Sequence, residues 1–253
     1  GELGVRLAIS PAALAAQSEI AITMVSDSPD VEAVLFGPDG VATGASAGTL
    51  VVDMSTISPS ATRDFAARLA THGVSMLDAP VSGGSEGARK GTLSIFVGGD
   101  AADLERARPV LASLGTTITH VGPIGAGQAV KAVNQVILAG TYLGVAEGVV
   151  LAIKAGLEVE QVVAALSGGA AQSWVLTNRS GRMLANEYPL GFKVALHRKD
   201  LGIALGMARE LGASLPISAL CEAIEAGLIG QGHADDDMSA VARSIRALSG
   251  LES

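Results

Sequence analysis

The chain has 253 residues, 49% of them hydrophobic, 17% charged and only 3% aromatic, with a formal net charge of −8. Such a composition supplies a sizeable core, built from Ala, Val, Leu and Ile, and excludes a disordered chain. The negative balance argues against nucleic acid or an anionic membrane surface as partner, and the single cysteine, Cys221, excludes an intrachain disulfide and suits a reducing, cytoplasmic setting.

Taken in order, the first half alternates short apolar runs with amphipathic stretches. Strands are predicted at Ile20–Val25, Leu50–Met54, Val74–Asp78, Leu93–Val97 and Thr117–Val121. Helices are predicted between them, at Asp30–Phe36, from Ser58-Pro59 through Arg68, and at Ala102–Leu114. Strands separated by helical patterns read as a mostly parallel sheet with crossover helices. After Gly122 the strands stop. Ala126–Ala155 reads as one helix of about 45 Å, followed by helices at Val159–Leu166, Ser173–Ala185, Val194–Leu211, Pro216–Leu228 and Met238–Leu248. Domains are therefore predicted at residues 1–123 and 124–253. No uninterrupted apolar run reaches the ~18 residues of a membrane span, and no secretory signal pattern is read in the opening residues.

Several constellations carry chemistry. Lys131, Asn134 and Gln135 stand at i, i+3 and i+4, on one face of the long helix, where a lysine beside two amides makes a proton donor with orienting groups. Asp78-Ala79-Pro80-Val81-Ser82-Gly83-Gly84 follows a strand into a turn whose hydroxyl and backbone N–H groups suit a carboxylate. A tight turn alone accounts for its glycines but not for the whole string. Val25-Ser26-Asp27-Ser28 and Ser55-Thr56-Ile57-Ser58-Pro59 lie at other strand ends, where they serve either a ligand or simply helix caps, Ser58 among them. His197-Arg198-Lys199-Asp200 reads as a solvated helix face, with Lys199 acting on a cofactor as the alternative. The four histidines show no metal-ligand spacing, so no metal is expected. Gly125-Ala126-Gly127 is the one G-x-G that opens a helix after a strand, but its place at the end of the sheet region makes it a poor pyrophosphate cradle.

These strings, with Asp53–Pro59, Gly91–Ser94, Val97–Gly99 and Lys199-Asp200-Leu201, resemble in the same order those of the β-hydroxyacid dehydrogenase family, the family of 3-hydroxyisobutyrate dehydrogenase and tartronate semialdehyde reductase. The resemblance implies an α/β Rossmann-like domain, here an N-terminally incomplete parallel sheet, followed by an all-α domain built on a long interdomain helix. It implies Lys131 as catalytic acid/base with Asn134 beside it, and Ser82, Gly83 and Gly84 on the substrate carboxylate. Val25, Ser26, Thr56 and Lys199 match cofactor positions, the cofactor being NAD or NADP. The implied substrate is a small carboxylate-bearing aldehyde or hydroxy acid, and the implied assembly a homodimer or homotetramer. Gln135, where many members have a second Asn, tips the resemblance towards tartronate semialdehyde reductase. The Gly-rich opening unit of the family, about 30 residues, is not found in these 253 residues, and with it goes the residue that selects NAD or NADP. Weak dinucleotide binding is the expectation for this chain. Imine reduction, and a cofactor-deficient chain that only oligomerises, are the competing readings.

Overall fold

The structure, a computed structural model, describes residues 4–251. The chain forms two compact units, Gly1–Lys131 and Ala132–Ser253.

The first unit carries six strands: β1 (Ile20–Thr23), β2 (Leu50–Asp53), β3 (Ser75–Asp78), β4 (Val81–Ser82), β5 (Leu93–Gly98) and β6 (Gly115–Gly122). Between them lie α1 (Pro11–Ala15), α2 (Ser28–Phe36), α3 (Val41–Gly44), α4 (Pro59–Ala70), α5 (Gly84–Lys90) and α6 (Ala101–Leu111). β1, β2 and β3 are parallel, with Ile20 opposite Leu50 and Leu50 opposite Ser75. The middle strand β2 is buried along its whole length, as expected when helices cover both faces of a parallel sheet. Alternation along the strands feeds two apolar layers. Val51 and Met76 join Val31, Leu35, Phe65 and Leu69 on one face, while Val52 and Leu77 join Ile95, Leu104 and Leu111 on the other.

The far side of the sheet departs from simple crossover order. β5 runs antiparallel to β3 and β4, and β6 runs parallel to β5. The reason is local: Ala79-Pro80 leads from β3 straight into β4, with no helix to carry the chain back to the starting edge. The short α5 then returns it against β4 in the opposite direction. This helix, and the short α1 and α3, carry no apolar periodicity long enough to register in the sequence.

The long helix α7 (Ala126–Lys154) lies in the first unit as far as Lys131 and in the second from Ala132. The second unit continues with α8 (Val159–Leu166), α9 (Trp174–Ala185), α10 (Val194–Leu211), α11 (Pro216–Gly230), a 3-10 turn (Met238–Ala240) and α12 (Val241–Leu248). Its core is drawn from Ala139, Tyr142, Leu143, Ala146 and Val149 of α7 together with Val175, Met183, Val194, Leu201 and Leu228. Asp237 caps the 3-10 turn, accepting from the Ser239 amide at 3.1 Å and its hydroxyl at 2.6 Å. Arg179 and Arg182 stand 3.3 and 3.5 Å from the same buried carboxylate.

By length and composition α7 does reach the threshold for a membrane span, with a mean hydropathy of 2.0 over its best 18-residue window. Glu147 and the helix glycines interrupt the apolar run without spoiling its average. Its buried side forms the core of the second unit, as a core helix does; Val133, Ile137 and Leu151 lie exposed on it.

Candidate active site

The ends of the three parallel strands are stitched together by short polar bonds. Thr23 Oγ1 donates to Asp53 Oδ1 at 2.8 Å, the Val25 amide donates to Ser55 Oγ at 2.9 Å, and the Ala79 amide donates to the Asp53 carbonyl at 2.7 Å. Val25, Ser26, Ser55 and Thr56 are thus gathered at the carboxyl ends of adjacent strands, where ligands bind in open α/β sheets. Asp27 caps α2 through a capping box with Asp30, as the turn-and-cap reading of that string expects. Ser58 does not cap α4 with its side chain: its hydroxyl lies 2.7 Å from Ser60 Oγ instead.

The carboxyl end of β3 does something the strand pattern did not announce. Asp78, fully buried, turns its carboxylate onto the start of α7, accepting the Gly125 amide at 2.7 Å and the Gln128 amide at 2.8 Å. Burial pushes the Asp78 carboxyl up, the two helix amides pull it back, and the neighbouring Asp53 adds to the rise. Gln128 fixes the same turn from its other end, donating to the Ser55 carbonyl at 2.8 Å and accepting the Ile57 amide at 3.1 Å. Gly127 is required by close approach: a Cβ there would lie 2.3 Å from the Phe96 carbonyl oxygen. The Gly125-Ala126-Gly127 string is therefore a docking point for the helix. Its start amides already hold a protein carboxylate, which leaves them unsuited to a pyrophosphate.

Lys131 follows one turn later and is only 7% exposed. Ser82, Gly83 and Gly84 form the passage from β4 into α5, where Gly83 (φ 131°) and Gly84 (φ 61°) are exposed and adopt backbone angles that favour glycine.

In the second unit, Asn134 Nδ2 donates to Gln135 Oε1 at 3.0 Å, and Gln135 Nε2 donates to Asp200 Oδ2. The other oxygen of Asp200 lies 3.1 Å from Lys199 Nζ. Asn134 and Lys199 are thus joined through Gln135 and Asp200, two buried groups. The solvated-face reading of residues 197–200 is overturned. His197 and Asp200 are buried, and only Arg198 stands fully out, paired with Glu222 at 2.8 Å. Asp200 was legible as the neighbour of Lys199 in its string; Asp78 stands in a string whose hydroxyl and glycines drew the functional reading, and Gln128 directly follows the Gly125-Ala126-Gly127 string.

For a nicotinamide dinucleotide, the fit is divided. The strand ends offer hydroxyl and backbone groups for its nicotinamide and ribose side. Among the described residues no Gly-rich strand–turn–helix is open to its pyrophosphate.

Comparison with known proteins gives the class. Residues 2–122 match the NAD binding domain of 6-phosphogluconate dehydrogenase, and residues 125–245 match the NAD-binding domain of NADP-dependent 3-hydroxyisobutyrate dehydrogenase. The chain belongs to the β-hydroxyacid dehydrogenase family, whose members are nicotinamide-dependent oxidoreductases. It is 43% identical to 2-hydroxy-3-oxopropionate reductase of Escherichia coli over 91% of this chain and 79% of that protein. It is 38% identical to 2-(hydroxymethyl)glutarate dehydrogenase of Eubacterium barkeri over 94% of this chain and 79% of that one. The structure of Mycobacterium tuberculosis 3-hydroxyisobutyrate dehydrogenase superposes with a TM-score of 0.84 at 37% identity, covering 93% of this chain and 82% of the other.

Proposed function

We propose that the chain interconverts a small carboxylate-bearing semialdehyde and its hydroxy acid with NAD or NADP, and that tartronate semialdehyde is preferred to methylmalonate semialdehyde. The observation that carries this reading is a buried Lys131 on a helix whose first turn is anchored by Asp78, with Asn134 three residues on. The preference is supported by the Asn134-Gln135 pair and by 43% identity to the Escherichia coli 2-hydroxy-3-oxopropionate reductase.

In this reading Lys131, as ammonium, gives its proton to the carbonyl oxygen during reduction, and as neutral amine takes it back during oxidation. Asn134, its amide turned by Gln135, orients the same oxygen. Ser82, Gly83 and Gly84 receive the carboxylate, the two glycines letting the backbone come close. A bound nicotinamide supplies or accepts the hydride at the substrate carbon; Val25, Ser26, Thr56 and Lys199 are the residues assigned to hold it. Residues 1–123 are assigned to the dinucleotide and 124–253 to the helical domain. A cytoplasmic homodimer or homotetramer completes the reading, supported by the exposed Val133, Ile137 and Leu151 on α7 and by a single cysteine.

Initial rates on the natural gene product with NADH and with NADPH test it, using tartronate semialdehyde, methylmalonate semialdehyde and a cyclic imine in parallel. Tartronate semialdehyde is expected to give the highest kcat/KM. Faster turnover of the imine would replace the reading with imine reduction. No turnover of any of the three, with assembly intact on light scattering, would replace it with a non-catalytic role.

A further inference from the structure

His197, expected on a solvated face, is instead buried beside Cys221, which belongs to the core of the helical unit. Cys221 and Glu225 stand at i and i+4 on α11 and so share a face of that helix; His197, on α10, points into the same place. All three are fully buried. His197 Nδ1 lies 2.6 Å from Glu225 Oε1, Cys221 Sγ lies 3.9 Å from the same oxygen, and the three ligand atoms fall within 4.8 Å of one another. Glu225 Oε2 is buried and has no hydrogen-bond partner.

We propose that His197, Cys221 and Glu225 form a binding site for one zinc ion inside the helical unit, joining α10 to α11. The donor set is one imidazole nitrogen, one thiolate and one carboxylate. This mixed N/S/O set suits zinc and does not suit magnesium or calcium, which take oxygen ligands. Charge supports the same assignment. A neutral imidazole, a thiolate and a carboxylate sum to −2 and are neutralised by one divalent ion. Burial pushes both the Glu225 carboxyl and the Cys221 thiol up, with His197 opposing the rise at Glu225 and Glu225 adding to the rise at Cys221.

The geometry is close to what zinc requires. Zinc–ligand distances of about 2.0–2.3 Å on a tetrahedron place N and O about 3.4 Å apart, and S and O about 3.6 Å apart. The His197–Glu225 pair must open by about 0.8 Å and the Cys221–Glu225 pair close by about 0.3 Å, within the reach of side-chain rotation. The remaining ring nitrogen is placed as in metal-bound histidines, which donate their second N–H to a carbonyl or carboxylate. His197 Nε2 lies 3.5 Å from the Gln135 carbonyl oxygen of α7. Zinc entry displaces the thiol proton, so binding strengthens as pH rises.

The site is tested on the whole chain, stripped with a chelator and dialysed against zinc, with cobalt as the spectroscopic probe. One metal per chain is expected, with a sulfur-to-cobalt charge-transfer band in the near ultraviolet and a zinc-dependent rise in Tm. Cys221→Ala should abolish the band and weaken zinc binding at least tenfold, and Glu225→Gln should weaken it similarly. His233→Asn, which alters a half-buried histidine paired with Asp236, should change nothing. Should the two core variants fail to fold, stoichiometry and the sulfur band in the unaltered chain decide alone. Absence of stoichiometric binding, cobalt binding without the sulfur band, or equal affinity in a folded Cys221→Ala variant would overturn the proposal.

Discussion

Asp78 and Gln128 hold the start of α7 between them: the Asp78 carboxylate accepts the Gln128 amide at 2.8 Å, while the Gln128 side chain is bonded to Ser55 and Ile57. A carboxylate at a helix N-terminus meets both unsatisfied amides and the positive end of the macrodipole. Here it comes from a strand end 47 residues away from Gly125 in sequence. The helix that carries Lys131 therefore takes its position from the sheet.

Asp78→Asn is the first prediction. Burial raises the folded-state pKa of Asp78 above its ordinary value, with the helix amides opposing. Its contribution to stability is thus full below the unfolded pKa of about 3.9 and is lost as pH rises through the folded pKa. The Asn variant keeps the shape and one of the two acceptors, but its Nδ2 faces the other amide as donor against donor, while the cost of ionising a buried acid is removed. Its stability at neutral pH is expected to change by less than about 2 kcal/mol, and this acid-side contribution should disappear. Urea titrations across the acid range measure both; an unchanged pH profile would remove Asp78 from the account.

Lys131→Met tests the proton donor. Loss of general acid–base help predicts a fall in kcat of about 10²–10⁴-fold, with KM for the semialdehyde much less affected. Circular dichroism should show the native helix content, since the apolar stem is largely preserved. Near-normal turnover in the folded variant would end the assignment.

The architecture was legible where one physical signal dominated. α8 and α10 were bounded to the residue, because amphipathic periodicity and a glycine stop such as Gly212 act locally. The reversal at β5 was not legible, since strand direction there depends on the short passage through Ala79-Pro80 and not on any pattern within β5. In the candidate site, Lys131 and Asn134 could be read from helix spacing. The buried carboxylates that fix their surroundings, Asp78 and Asp200, depend on partners 50 and 65 residues distant. A charge cluster such as 197–200 carries no mark of which members turn inward; that is decided by Gln135 and Glu225 on other helices.

Gly127→Ala is predicted to be severely destabilising. The added Cβ would lie 2.3 Å from the Phe96 carbonyl oxygen and 2.8 Å from that of Asp78, both backbone atoms that cannot rotate away. A loss above about 3 kcal/mol is expected, by overpacking against backbone. Gly181→Ala, in α9 with no atom within 4 Å of the added carbon, should instead gain about 0.5–1 kcal/mol from helix propensity. Chemical unfolding of the two variants side by side checks the contrast, and equal effects would contradict the close approach at Gly127.

The last prediction concerns alkaline pH. The chain has two tyrosines, Tyr142 and Tyr188, both buried. Burial is the main cause that raises each phenol, and Tyr142 is pushed up to about 12, with Asp237 adding to the rise and Arg179 opposing it. A phenol whose folded pKa is raised contributes stability that is full below its unfolded pKa, about 10, and lost as pH rises towards the folded value. The native chain should therefore show little tyrosinate absorbance at pH about 10, where the same chain unfolded in urea is half ionised. Above that pH, stability should fall steadily, and Tyr142→Phe should lose less of it. If the native protein titrates half its tyrosine at the unfolded midpoint, the α7 face that carries Tyr142 is open to solvent and the packing of the second unit is misassigned.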